Sequence, residues 1–174
     1  NIASRRKFIT SMVIADRTLS RAEDAVVRLK DPRFSAAQVN ASELEDIREL
    51  IRKAQPDVVI NAVDPRYVMP IFLACEIENT NYIDMAMSLS RPHPHYPYTE
   101  TGVKLGDEQF ARDWNWGERK IYALVGMGIE PGLSDVFAKY ASDHLFSRID
   151  SMTVLDGSNL VVEGYEFAPS FSIW

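Results

Sequence analysis

The chain has 174 residues, 46% of them apolar, enough to bury one core of ordinary domain size. Its formal net charge of -6 argues against nucleic acid as a partner, because that binding rests on clustered cations, and the densest basic run, Arg5 to Lys7, reads as a solvated helix face. The single cysteine, Cys75, excludes an intrachain disulfide or thiolate zinc site and makes a reducing, cytoplasmic compartment the default, while no apolar run is long enough to span a membrane.

The sequence opens at Asn1 rather than methionine and stops inside the apolar stretch Phe171 to Trp174, so it reads as an excerpt of a longer protein. Asn1 to Phe8 is expected to be the tail of a helix. Met12 to Ala15 is an apolar strand ending at Asp16. Ser20 and Glu23 then have the spacing of a capping box, and Ala22, Val26 and Leu29 put an apolar stripe on the helix that follows, which Asp31-Pro32 stops. Phe34 to Val39 is the second strand, ending at Asn40. Ser42 and Glu45 repeat the capping-box spacing before a helix marked by Leu44, Ile47, Ile51 and Ala54.

Val58 to Ile60 is β-branched throughout, as in a parallel strand covered on both faces, and Asn61 to Asp64 would lie at its carboxyl end. Asp64 suits a helix N-cap and Pro65 the first helical position. Val68, Ile71, Phe72 and Cys75 mark the next helix, where Pro70 is tolerated only near the first turn. Tyr82 to Met87 reads as a strand interrupted by Asp84, and proline-rich Ser88 to Thr101 as a loop. Phe110 and Trp114 suit a helix over roughly 106–118, with Trp114 and Trp116 as packing residues. Ile121 to Val125 is a further buried strand. After the turn GMGIEPGLSD, the residues Leu133, Val136, Phe137, Tyr140 and Leu145 share a helical face, and Met152 and Val154 alternate like a half-buried strand.

Strand, helix and strand in this alternation predict an α/β fold of Rossmann type, a doubly wound parallel sheet. The change of pattern late in the chain divides it at 1–131 and 132–174, the second part beginning a further domain. In such sheets ligands sit beyond the carboxyl ends of the strands. Asp16 stands where an acidic residue hydrogen-bonds the ribose of a dinucleotide, which leans toward NAD, whereas Arg17 and Thr18 suit a 2′-phosphate, so NAD(P) stays open. By the same topology Asn40 and Ala41 would lie beside the adenine, and Asn61, Ala62, Val63 and Pro65 along the cofactor. Each also has a plainer reading as a turn residue satisfying its own backbone.

Asp84 points toward the reacting half of the cofactor, either in proton transfer or as a cap on the loop that follows. Pro131 and Gly132 make a tight turn into a helix, so free N–H groups of Gly132, Leu133 and Ser134 would converge on an anionic group, with Ser134 as N-cap the alternative. His93 and His95 lack a sulfur or acidic partner and read as exposed loop residues, so no metal is expected. No G-x-G-x-x-G turn occurs in the chain.

VVINAVDP at 58–65, YIDMA at 82–86 and GMGIEPGLSD at 126–135 together resemble the saccharopine dehydrogenase family, and ADRT at 15–18 looks like that family's second-strand turn. The resemblance implies an NAD(P)-binding Rossmann domain joined to a catalytic, dimer-forming α+β domain. It implies hydride transfer at a C–N bond of an amino-acid-derived secondary amine or imine, with a homodimer at full length. Carried onto this chain, it places Asp16, Arg17, Asn61, Ala62, Val63 and Pro65 on cofactor, and Asp84, Met85 and Pro131 to Ser134 near the nicotinamide. The alternatives are a non-catalytic nucleotide-binding regulator with the same fold and a methyltransferase, which shares the acidic residue at the second strand end.

Overall fold

The computed structural model describes residues 2–155 and 163–164. The stretch Phe171 to Trp174 lies outside the described residues. The elements are β1 (Met12–Asp16), α1 (Leu19–Leu29), β2 (Phe34–Gln38), α2 (Leu44–Ala54), β3 (Val58–Asn61), α3 (Val68–Ile77), β4 (Asn81–Asp84), α4 (Asp107–Phe110), α5 (Asp113–Arg119), β5 (Ala123–Leu124) and α6 (Leu133–His144). Short 3₁₀ turns cover Ala3–Arg5 and Pro65–Tyr67. The expected N-terminal helix is thus only a turn, and it is held from outside: the Arg33 guanidinium donates to the carbonyls of Ser4, Arg6 and Ile9 while pairing with Asp31.

Every strand pairing among the described residues is parallel, as the alternation predicts. β1 pairs with β2, Met12 opposite Phe34 and Asp16 opposite Gln38. β4 lies between β3 and β5, with Asn61 opposite Asp84 and Ile83 opposite Leu124. The ladders form two sheets rather than one, because β1 and β3 are not hydrogen-bonded to each other. The expectation that β3 is covered on both faces also fails here. Val58 and Ile60 are 39% and 47% exposed, so the described residues cover their face only in part.

The core joins the two halves through α2 and α3. Ile47 and Ile51 of α2 pack with Ile71, Phe72, Ala74 and Cys75 of α3, then with Tyr82 and Trp116. Phe72 meets Tyr82 edge-on at 5.3 Å and lies 4.7 Å from the Trp116 ring. Since α3 runs between sheet, α2 and α5, it is apolar around most of its circumference, as a buried helix must be. Its one buried charge, Glu76, is paired with Arg112 at 2.8 Å and accepts from Asn115, fastening α3 to the turn ahead of α5 and to α5 itself.

Two expected capping boxes are absent for the same reason. A carboxylate or amide just upstream takes the turn amide, so each helix starts without a side-chain cap. Asp16 Oδ1 accepts from Thr18 N at 2.8 Å and α1 begins at Leu19, which puts Ser20 inside the helix. Asn40 Oδ1 accepts from Ser42 N, α2 begins at Leu44, and Glu45 pairs with Arg48 instead. By contrast, Asp64 accepts from Arg66 N and Pro65 opens the 3₁₀ turn, as its sequence predicts.

The helix expected over 106–118 is broken at Ala111 and Arg112 into α4 and α5. Trp116 is buried, whereas Trp114 is 73% exposed and is not a packing residue of this core. Residues two apart on a helix face nearly opposite ways, so both could not point inward. The expected strand at Met152 and Val154 does not form. Both side chains are half exposed, and no strand among the described residues lies beside them. The apolar face of α6 and the segment 146–154 line an open groove of about 680 Å³.

Candidate functional site

The candidate residues fall into two groups, each at the carboxyl end of one sheet. In the first, Asp16 ends β1 and its carbonyl accepts from Val39 N at 3.1 Å, which brings the Asn40 turn alongside. Arg17 and Thr18 are exposed, and Gln38 donates to the Arg17 carbonyl at 3.0 Å. Asp16 Oδ1 is occupied by the turn amide. Oδ2 has no protein donor among the described residues, so it is available to a hydroxyl. Asn40 holds its own turn, and Ala41 packs against the core.

The second group gathers Asn61, Ala62, Val63, Pro65, Asp84, Met85 and the turn 126–134. Asn61 and Asp84 face each other across β3 and β4, and Met85 N donates to the Asn61 carbonyl at 3.3 Å. Ala62 and Val63 are exposed directly after buried Asn61, so this strand end opens to solvent. Beyond β5, Met127 N donates to the Asp84 carbonyl at 2.8 Å and folds the glycine turn over Met85. A Cβ on Gly128 would come within 2.3 Å of the Met85 carbonyl oxygen, so only glycine permits this approach.

Asp84 is fully buried. Its Oδ1 accepts from Gly126 N at 2.6 Å, and its Oδ2 from the Tyr82 hydroxyl at 3.0 Å and from Gln109 Nε2 at 2.8 Å. A carboxylate with each oxygen already engaged and no exposure has no free lone pair aimed at a ligand. Burial raises the Tyr82 phenol well above its ordinary value, so it remains a neutral donor. Burial likewise pushes the Cys75 thiol up to about 12, which leaves it unreactive within the core.

The start of α6 differs from the expected cradle of free amides. Gly132 N donates to Asp135 Oδ2 at 2.9 Å, Leu133 N to the Gly128 carbonyl and Ser134 N to the Ile129 carbonyl, both at 3.0 Å. The glycine turn folds back and consumes the N–H groups that an anion would need. Gly132 rather than Ser134 is the N-cap, and the Ser134 hydroxyl oxygen is buried without a hydrogen-bond partner. In the proline loop, His93 Nδ1 accepts from Tyr96 N at 3.1 Å and its ring stacks on Tyr96. No group of three or more His, Cys, Asp or Glu side chains among the described residues is placed to hold a metal ion.

Gln109 is the residue that sequence reasoning missed. It contacts the site from α4, through partners 21 and 25 positions away, and a lone buried glutamine in a short helix carries no local signal of that. Parallel strands wound with helices, their connecting turns gathered at the carboxyl ends of the strands, define a domain of Rossmann type. The chain belongs to the saccharopine dehydrogenase family: the family model of the saccharopine dehydrogenase NADP-binding domain matches residues 1–124.

The chain is 32% identical to a carboxynorspermidine synthase of Vibrio alginolyticus, over 97% of its own length and 42% of that protein's. It is 25% identical to a carboxyaminopropylagmatine dehydrogenase of Synechocystis, over 94% and 39% respectively. It thus spans about two fifths of these relatives. Among solved structures, an apo saccharopine dehydrogenase (L-Glu forming) from Saccharomyces cerevisiae superposes with a TM-score of 0.57 at 15% identity, covering 78% of this chain and 25% of that one. No helix among the described residues is long and apolar enough to cross a membrane.

Proposed function

We propose that this chain is the NAD(P)-binding part of a dehydrogenase that transfers hydride at the C–N bond of an amino-acid-derived secondary amine or its imine. The bound dinucleotide supplies the hydride chemistry, and the chain's own residues position it. The observation that carries the reading is Asp16, whose Oδ1 holds its turn and whose Oδ2 is left for a ribose hydroxyl. The exposed residues Ala62 and Val63 and the glycine-permitted approach of Gly128 to Met85 support a second surface along which a dinucleotide can lie. The names of the relatives, a synthase and a dehydrogenase of carboxylated polyamine-type compounds, support the substrate class.

In this reading residues 1–131 are the cofactor domain, and 132–174 open a substrate and dimerisation domain in a cytoplasmic homodimer. Pro131 to Ser134 contribute shape near the nicotinamide. With its amides spent internally, this turn contributes no anion cradle. Asp84, which the sequence offers either for proton transfer or as a loop cap, is assigned a positioning role, because its carboxylate faces only internal donors.

The test is a fluorescence titration of NADH and NADPH against the whole protein and its Asp16→Ala variant. NADH binding should weaken by roughly tenfold, the value of a charge-assisted hydrogen bond, and NADPH binding by less. Equal weakening of both, or none, would remove Asp16 from the ribose. Normal dinucleotide binding without turnover of any carboxylated secondary amine would instead favour a non-catalytic regulator.

A further inference from the structure

A chain of hydrogen bonds, buried except at its Val63 end, runs along the ends of β3 and β4 and converges on one carboxylate. Val63 N donates to Asn61 Oδ1 at 3.2 Å, Asn61 Nδ2 to the Tyr82 hydroxyl at 2.8 Å, and that hydroxyl to Asp84 Oδ2 at 3.0 Å. Gly126 N reaches Oδ1 from beyond β5. From outside the sheet, Gln109 Nε2 donates to Oδ2 at 2.8 Å while its Oε1 accepts from Ser88 N at 2.8 Å.

Gln109 is 3% exposed, so both ends of its amide need a partner, and here each has one. A carboxylate can only accept, so the amide is oriented with its nitrogen toward Asp84. No side chain without both a donor and an acceptor at that reach would serve. Donor chains of this kind polarise one another in the low dielectric of the interior, so removing one member is felt along the line.

We infer that Gln109 is a positioning residue of the cofactor rim: clamping Asp84 between Tyr82 and Gly126, it fixes how the turns after β3 and β5 present their backbone to a ligand. This rests on the cofactor reading above. Its test therefore includes a measurement that does not need the cofactor.

In the whole protein, Gln109→Met keeps the length and removes both polar ends. Hydrogen exchange at the Gly126 and Val63 amides should accelerate roughly tenfold or more, while Ile14 and Ala36 of the other sheet keep their protection. NADPH binding, measured well below the melting temperature, should weaken roughly fivefold or more. Gln109→Glu keeps the acceptor for Ser88 but sets two carboxylates together. A shared proton restores the missing donor, so protection and NADPH affinity in this variant should recover toward wild type below about pH 6.

Unchanged exchange at Gly126 and Val63 overturns the inference, and so does an equal acceleration everywhere, which marks a merely structural residue. Accelerated exchange with unaltered NADPH affinity also overturns it. If the methionine variant does not fold, the acid recovery of the glutamate variant decides, and its absence overturns the claim. Wild-type protein that binds no NADPH sinks the cofactor reading instead, whatever the exchange shows.

Discussion

Three donors meet the Asp84 carboxylate, and none of its surroundings is a cation. Asparagine at this position would retain the shape but replace one oxygen by an NH₂ group. Whichever way that amide turned, it would set N–H against either Gly126 N–H or the donors Tyr82 and Gln109. Asp84→Asn should therefore cost about 2 kcal/mol of stability, read as a fall in the urea midpoint. An unchanged midpoint with lost turnover would return Asp84 to the chemistry. The importance of Asp84 was legible in the sequence, as a polar residue interrupting an apolar strand end. Its partners were not, because Gln109 lies 25 positions away and Gly126 lies 42.

At the scale of elements, β1 to β4 follow their apolar runs within a few residues, while the helix starts do not follow the capping-box spacing. Spacing alone cannot tell a serine that caps from one whose turn is already closed by Asp16 or Asn40. The break at Ala111 and Arg112 was also hidden, since Arg112 there reaches across to Glu76 of α3, a partner 36 positions away. That contact has a measurable role. The Arg112 guanidinium holds the Glu76 carboxyl below its ordinary value of 4.5, so the ion pair stabilises the fold above that pH and fades as pH falls through the lowered value. Arg112→Met leaves Glu76 buried with only Asn115 and should cost on the order of 3 kcal/mol at pH 7. The difference from wild type should be largest near neutral pH and shrink on acidification, beginning above the ordinary carboxyl value, because burial without Arg112 raises Glu76 in the variant and lets it protonate first. A difference that grows on acidification would rule the pair out as its cause.

Considered as a whole molecule, the protein is two parallel ladders joined through α2 and α3, and the alternation of strands and helices made the parallel winding legible. That the ladders are separate was not legible, because an apolar run shows that a strand wants neighbours but not which ones it has. Among the described residues, β1 and β3 each carry one flank whose peptide groups meet no strand, beside half-exposed Val13, Val58 and Ile60. Such flanks are templates that recruit any compatible extended segment. The 174-residue chain should accordingly self-associate as its concentration rises, with sedimentation shifting from monomer toward larger species, and charged substitution at Val58 or Ile60 should suppress the shift. A chain that stays monomeric across a hundredfold range would mean these flanks are guarded in solution.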